Sequence, residues 1–309
     1  MKKFITSAVL VFFITAAISQ SAPARLKYFG FYLVDTKIDD PHDSSSITNY
    51  IDEVAPFSNI AHLHVTAYTD NITANVKKMN SVCVKPFISI QNIFFKKVDS
   101  LAPSKNHYKI LPDFKERWKV FKTNNASVLT ASKVEYFYVS DEPTWNGIAF
   151  NELDAVCKLV KHDFPAIKIM FVEAYISLVD LVIPKTADWI GFDRYTIFNP
   201  STNKSFLENL ATLKSKLSTS KQTMFLTIDD QWLPLFGTLG VTPDSVGFMV
   251  QDYYKVALTE PGISGLVGYL WPGGFDEPKQ LGVRNMPQSV KDINIEIGNM
   301  IKANNPVCK

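Results

Sequence analysis

Carboxyl side chains stand at the ends of four consecutive strand-like segments of this 309-residue sequence. Acidic residues seldom end buried apolar strands, because an unpaired buried charge is costly. Two carboxyl groups that face one cavity can cleave a glycosidic bond, with one protonating the leaving oxygen and the other attacking or activating water. The acids that stand at these ends are Asp141, Glu142, Glu173, Asp193, Asp229 and Asp230.

Aromatic and polar side chains accompany these acids at the segment ends. Binding pockets for small molecules combine apolar and aromatic walls with a few polar groups that fix orientation. A sugar suits such walls, since its C–H faces can stack on rings while its hydroxyls bond to polar neighbours. We expect Asp141, Asp193 and Glu173 to contact substrate together with Tyr195, Trp271, His64, Gln91 and Trp145, which lies in the loop after Glu142.

Eight apolar, β-branched or aromatic runs alternate with amphipathic helix-like segments along the chain. Strand–helix alternation predicts parallel strands joined by right-handed crossovers, and eight such units match a (β/α)8 TIM barrel in count and length. An open dinucleotide-binding sheet is disfavoured, because no GxGxxG follows the first run. We predict a single α/β domain over residues 25–309, with its site at the carboxyl ends of Lys27–Val34, Ile60–Tyr68, Pro86–Ile93, Val134–Ser140, Lys168–Tyr175, Trp189–Tyr195, Thr223–Asp229 and Gly265–Trp271.

Composition excludes several classes of protein. With 46% hydrophobic residues the chain is too apolar to be disordered, and 32 basic against 30 acidic residues leave no excess positive charge for gripping nucleic acid. Three cysteines allow at most one intramolecular disulfide. We therefore expect a monomer with a carbohydrate substrate, no nucleic-acid partner and no stable membrane insertion.

The first 24 residues have the pattern of an export signal. Lys2 and Lys3 precede an apolar stretch over 8–17, and Ala22 and Ala24 supply small residues for a cleavage site. The apolar stretch is short for a bilayer span of about 20 residues. The sequence thus predicts a signal peptide over residues 1–24, cleaved near Ala24, and a secreted or periplasmic protein.

One of the segment ends resembles a known superfamily. Ser140-Asp-Glu-Pro143 is similar to the Asn-Glu-Pro signature of the clan A glycoside hydrolases, and the run 188–195 that ends in Tyr195 is similar too, as is Trp271 after the eighth run. The resemblance implies that Glu142 is the general acid/base, that Tyr195 supports a second carboxylate, and that Trp271 forms a floor under the sugar.

The sequence departs from that superfamily at two positions. Asp141 stands where the clan has the Asn that holds the substrate's 2-hydroxyl, and strand seven offers Asp229 or Asp230 where the clan has a nucleophilic Glu. Side-chain alternation from an inward Thr227 favours Asp229 and points Asp230 to the helix layer. The alternative is a glycan-binding barrel that has lost its strand-seven nucleophile, and retention against inversion stays open.

A metal-dependent reaction is the third interpretation. His62 and His64 share one strand face, which is a spacing that metals use, but no further His falls at a predicted strand end. A GxSxG nucleophile elbow is absent as well. The sequence therefore implies no metal and no cofactor, and His64 is interpreted as lining the site.

Overall fold

The computed structural model describes residues 21–308, so residues 1–20 of the predicted signal segment lie outside the described residues. Eight parallel strands form one sheet in which each strand from the second onward pairs with the next along the chain, and the eighth pairs with the first. They are β1 (Tyr28–Phe31), β2 (Ile60–His64), β3 (Lys85–Ser89), β4 (Tyr136–Asp141), β5 (Lys168–Ala174), β6 (Trp189–Asp193), β7 (Thr223–Asp229) and β8 (Ile263–Tyr269).

The sheet curls round so that its two ends meet. β1 pairs with β8 in register, with Tyr28 opposite Gly265. On its other side β1 approaches β2, where the Asn59 amide donates to the Phe29 carbonyl at 3.1 Å and the Asp35 amide to the His62 carbonyl at 2.9 Å. The predicted (β/α)8 TIM barrel is confirmed, with all eight strands at the predicted places.

Helices cover the outside of the barrel. In the described part of the chain they are α1 (Ile51–Val54), α2 (Thr73–Ser81), α3 (Gln91–Phe94), α4 (Phe114–Asn125), α5 (Phe150–Asp163), α6 (Lys204–Lys216), α7 (Pro234–Thr238), α8 (Val246–Thr259) and α9 (Gln288–Lys302). No α-helix lies between β5 and β6, where the chain forms only a short 3₁₀ turn, Tyr175–Ser177. Pro184 follows too closely for a helix to complete a second turn before it.

Two short antiparallel pairs add to this plan at the carboxyl ends of the strands. Phe95–Asp99 pairs with His107–Ile110 after β3, and Gln231–Trp232 after β7 pairs with Leu281–Gly282 after β8. The second pair ties two strand-end loops together, and both loops contribute to the cavity described below.

Large aromatic side chains fill the amino-terminal half of the barrel. Phe87 and Tyr136 stack with ring centroids 4.9 Å apart, and Trp189 lies 4.8 Å from Phe225. The β8 position facing Phe225 is Gly265, where a Cβ would lie 2.3 Å from that ring. The barrel is therefore plugged at one end, so that its cavity opens only at the carboxyl ends of the strands.

A disulfide and a set of side-chain hydrogen bonds hold the two ends of the described chain in place. Cys83 and Cys308 form a disulfide that joins positions 225 residues apart, and Cys157 is a buried free thiol. Near the amino-terminal end of the described residues, Asn304 donates to the carbonyls of Ala22, Pro23 and Leu26. Within residues 21–308 no helix combines the length and apolarity needed to cross a bilayer.

Candidate active site

A cavity of about 610 Å³ opens at the carboxyl ends of the barrel strands. Its volume falls in the range that holds a small-molecule ligand. Acidic groups, tyrosines and histidines dominate the walls, and no Lys or Arg of residues 21–308 lines them. The lining residues that carry chemistry or rings are Tyr32, His62, His64, Tyr138, Asp141, Glu142, Trp145, Asp193, Tyr195, Thr227, Gln231, Tyr269, Phe275 and Asp276.

An irregular end to β4 delivers two neighbouring acids to this cavity. The pairing of β4 with β5 shifts register between Tyr138 and Asp141, so the strict alternation of side chains is broken there. Glu142 then adopts a left-handed backbone, with φ of 44°. A non-glycine residue in that region costs about 1–3 kcal/mol and is typically found at functional sites.

Glu173 holds the loop that follows Glu142. Its buried carboxyl accepts from the Thr144 amide at 2.9 Å and from the Trp145 amide at 3.3 Å. Burial raises its pKa to about 7, against the lowering effect of these donors. The sequence places Glu173 among the substrate contacts, but the structure places it behind the loop, where it positions Trp145 and does not line the cavity.

Glu142, just after β4, and Asp193, at the end of β6, both line the cavity, and their carboxyl groups lie close enough to interact through a hydrogen bond. Burial, followed by the charges of Asp193, Asp141 and Glu173, raises the pKa of Glu142 strongly. Burial raises the pKa of Asp193 too, whereas its bond to Glu142 works in the opposite direction. A bond between two carboxyls requires one proton, so Glu142 carries it and Asp193 accepts it.

Asp141 and Asp276 lie at the exposed mouth of the cavity. Asp141 accepts a short bond from the Tyr138 hydroxyl, and its own amide donates to Gln91 Oε1 at 2.6 Å. The cavity walls desolvate the Asp141 carboxyl and raise its pKa, although the residue as a whole is exposed at the mouth, and the charge of Asp276 raises that pKa further. Gln91 therefore acts from behind Asp141 and does not itself line the cavity.

Asp229 and Asp230 at the end of β7 are fully buried and lie outside the cavity lining. Asp229 accepts from the Thr196 amide at 2.6 Å and from Gln231 Nε2 at 3.1 Å. Asp230 faces the helix layer, as alternation predicts, and accepts from Asn294 of α9 at 3.3 Å. Both are thus structural acids in this arrangement, and the second carboxyl in the cavity comes from β6 instead.

Trp271 also lies away from the cavity. β8 ends at Tyr269, and the chain beyond it turns outward, so that the Trp271 ring packs 5.0 Å from Phe31 and 6.0 Å from Phe57. Its Nε1 donates to Glu53 on α1 at 2.7 Å. Trp271 is therefore part of the layer between barrel and helices, and not a floor under a sugar.

The aromatic wall is built from other rings. Trp145, Tyr195 and His64 line the cavity, and the sequence had placed them among the substrate contacts. Tyr269 and Phe275 also line it, although the sequence had not singled them out. Tyr269 lies 5.4 Å from Tyr195 and 6.5 Å from Phe275. Alternation from the inward-facing Gly265 along β8 would have identified Tyr269, whereas Phe275 lies in an irregular loop that carries no periodic signal.

His62 is a neutral imidazole at the base of the cavity. Its Nδ1 accepts from the Leu33 amide at 3.1 Å, and burial lowers its pKa well below the usual range. The proton must then sit on Nε2, which has no acceptor among the described residues. Residues 21–308 contain no group of three or more His, Cys, Asp or Glu side chains arranged to hold a metal ion.

Comparison with solved structures shows what this fold resembles. The chain is similar to a GH113 β-1,4-mannanase, with a TM-score of 0.56, 10% identity, and coverage of 90% of this chain and 99% of that one. For xylanase 10B from Thermotoga maritima the TM-score is 0.53, with 13% identity and 91% and 96% coverage. An Anoxybacillus α-amylase gives a TM-score of 0.57, 10% identity, and 91% and 79% coverage.

At these identities the neighbours show a shared fold, the (β/α)8 barrel. The barrel fold that the resemblance at Ser140–Pro143 implies is thereby confirmed. No family model matches the chain, and no curated protein matches its sequence.

Proposed function

We propose that this protein is a glycoside hydrolase that cleaves O-glycosidic bonds of a poly- or oligosaccharide. The observation that carries the proposal is the Glu142–Asp193 carboxyl pair inside a cavity walled by tyrosines and Trp145. Perturbed acids that gather in a cleft are typical of catalytic sites. The barrel fold shared with mannanase and xylanase structures supports a carbohydrate substrate.

Glu142 is the proton donor in this proposal. Its raised pKa keeps the carboxyl protonated at neutral pH, which a general acid needs in order to protonate the leaving oxygen. Asp193 is the second carboxylate, since it accepts the shared proton and is released as a base or nucleophile when Glu142 turns to the substrate. In this proposal Asp193 has the role of second catalytic carboxylate, for which the sequence had suggested Asp229 or Asp230.

The remaining lining residues bind and orient. Trp145, Tyr195 and Tyr269 supply ring faces, and His64 and Asp141 supply polar contacts at the cavity wall. Glu173 fixes the Trp145 loop from behind. Each of these groups is held by a strand end or by a bonded loop, which favours a preformed site.

The test is a panel of glycans of known linkage incubated with wild-type protein, with products resolved by chromatography. We expect cleavage of at least one glycan, and loss of that cleavage in Glu142→Gln and in Asp193→Asn. Asp230→Asn is the matched control and should retain the rate, because Asp230 faces α9. Full activity of Glu142→Gln would overturn the assignment, and the anomer of the first product distinguishes retention from inversion.

A second candidate is a barrel that binds glycan without cleaving it. The observation in its favour is that β7 presents no carboxyl group to the cavity. Two measurements on the wild-type protein separate the two candidates: titration calorimetry for binding, and chromatography after incubation for days for product. Binding of a glycan without release of product supports binding alone.

We also propose that the protein is exported, into the periplasm or the medium, and acts as a monomer. The Cys83–Cys308 disulfide supports an oxidising compartment, in keeping with the signal pattern over residues 1–24. Amino-terminal sequencing of the protein recovered outside the cytoplasm should begin near residue 25, and light scattering should give the mass of one chain. Recovery from the cytoplasm with residue 1 intact would contradict export.

A further inference from the structure

The four acids that line the cavity share an unusual property: they have no cationic partner. Glu142, Asp193, Asp141 and Asp276 form no ion pair with any Lys or Arg in residues 21–308, and no such residue lines the cavity. Uncompensated carboxyls at this density are costly unless they are protonated or meet a positive charge. The Glu142–Asp193 pair resolves this by sharing a proton, which leaves the two acids at the mouth.

The mouth acids are held in place by neutral donors. Asp276 accepts from the Tyr269 hydroxyl at 3.0 Å and from Gln280 Nε2 at 2.8 Å. The buried Gln280 in turn accepts from the Asp276 amide at 2.8 Å. Asp141 is held in a similar way by Tyr138. These neutral donors hold both carboxylates in place without adding a positive charge, and both residues line the cavity.

An independent observation shows that the cavity is built for a polar ligand. His62, which is 4% exposed and lines the cavity, carries an Nε2–H with no acceptor in residues 21–308. A buried donor of this kind is normally satisfied by water or by a ligand. A sugar hydroxyl at the base of the cavity would supply that acceptor.

We propose that the cavity selects glycans that carry free amino groups, with the sugar's ammonium bound between Asp141 and Asp276 at the mouth. This rests on the proposed function, since it names the substrate class of the same site. An ammonium brings three donors and a positive charge to two oriented acceptors, and charge-assisted bonds of this kind are stronger than neutral ones. The same charge pattern excludes uronic and sulfated sugars, which would add negative charge to an acidic cavity.

Binding of matched sugars tests this selection without depending on turnover. Glucosamine, N-acetylglucosamine and glucose differ only at one ring position, as do galactosamine and its two counterparts. Wild-type protein can be titrated with these six monosaccharides, and Glu142→Gln with tetramers of glucosamine, N-acetylglucosamine and glucose of one linkage. We expect amine-bearing sugars to bind at least about tenfold more tightly than both counterparts, with the advantage shrinking at high salt.

Two variants locate the effect. Asp276→Asn and Asp141→Asn should each remove most of the amine preference, measured within each variant as the ratio of the Kd of the neutral sugar to the Kd of the amine-bearing sugar. Asp113→Asn is the control of equal charge change: Asp113 is exposed beside α4 and its side chain makes no capping bond. It should retain the full preference.

The outcomes separate this inference from the proposed function. Equal or weaker binding of the amine-bearing sugars, or binding of none of the six monosaccharides and three tetramers, overturns the inference. Cleavage of a neutral glycan in either case leaves the hydrolase proposal standing. Selective binding of an amine-bearing glycan that wild type never cleaves supports the inference and overturns the hydrolase.

Discussion

Two acidic regions of this barrel handle negative charge in opposite ways. In the Arg284 cluster (Arg284 with Asp40, Asp43 and Glu53), one guanidinium bonds three carboxylates, including Glu53 at 3.0 Å through Nε and Asp40 at 3.3 Å through Nη1. Four acids line the cavity, namely Asp141, Glu142, Asp193 and Asp276. None of them is paired with a Lys or Arg of residues 21–308.

The difference separates structural acids from functional ones. Bonds to Ser45 and Arg284 lower the pKa of Asp43, so the cluster favours ionised carboxylates. Burial and neighbouring charges raise the pKa of Glu142, so the cavity stores a proton instead. A fold has reason to keep uncompensated acids when chemistry or a ligand uses them, whereas compensated acids hold loops together.

The largest expected effect comes from making one substitution in both regions. Glu142→Gln should lower kcat/KM by about 10²- to 10⁴-fold, the range for losing a general acid, while the free energy of unfolding stays constant or rises. Glu53→Gln should do the reverse: activity is retained, and stability falls by about 1 kcal/mol, because the partly exposed Glu53 loses charge-assisted bonds to Arg284 and from Trp271. Steady-state kinetics and urea unfolding of the two variants check this.

Equal effects of Glu142→Gln and Glu53→Gln on activity and on stability would contradict the distinction between the cavity and the Arg284 cluster. Loss of activity in Glu53→Gln at unchanged stability would mean that the cluster belongs to the site. A strong loss of stability in Glu142→Gln would mean that the shared proton serves folding.

Removing the cation sharpens the contrast. Arg284→Met should cost about 3 kcal/mol of unfolding free energy, because the fully buried Asp40 loses the only ion pair that it makes within residues 21–308, while kcat stays near the wild-type value. Arg117→Met is a matched control, since Arg117 also lies over a tyrosine ring but bonds only to the carbonyls of Ile93 and Asn92. Its loss should be about 1 kcal/mol. Equal losses in the two variants would contradict the role of charge.

Much of this arrangement could be predicted from the sequence. Continuous apolar, β-branched and aromatic runs located all eight strands, because a barrel strand is buried on both faces and its composition shows it. Side-chain alternation along β7 pointed Asp230 to the helices. Since parallel strand ends meet at one face, the acidic ends of β4 and β6 were brought together without knowledge of any loop.

The sequence could not reveal departures from regular geometry. A register shift on β4 turns Asp141 towards the cavity beside Glu142, and no residue pattern announces it. Trp271 lies past the end of β8, so alternation no longer governs where its ring points. Asp276 and Phe275 reach the mouth from a loop fixed by Gln280, whose bonds depend on the folded chain.

A third prediction concerns the neighbouring acids of β7. Burial raises the pKa of Asp230 to about 8, so the folded protein holds a proton that the unfolded chain loses near its ordinary pKa of 3.8. Its contribution to stability is present below pH 3.8 and is lost as pH rises through 8. Asp230→Asn should therefore add about 2 kcal/mol at pH 8.5 and little at pH 4. Unfolding curves at the two pH values measure this.

The adjacent residue is the control for that result. Both oxygens of Asp229 accept hydrogen bonds, from Thr196 and Gln231, and an amide can satisfy only one of those donors. Asp229→Asn should gain less than Asp230→Asn at pH 8.5, or lose stability. A pH-independent effect of Asp230→Asn would show that Asp230 is ionised in the folded protein.

The smallest effect compares one hydroxyl in each region. The Tyr138 hydroxyl donates to Asp141 in the cavity, and the Tyr50 hydroxyl donates to the Ile47 carbonyl at 2.7 Å and accepts from the amide of Asp40 in the Arg284 cluster. Either change to Phe removes buried hydrogen bonding and should cost about 1 kcal/mol. Only Tyr138→Phe should also change catalysis, because it leaves Asp141 without its donor and raises that pKa further. A KM that rises several-fold in Tyr138→Phe alone, at matched stability, would show that the two regions differ in function and not merely in charge.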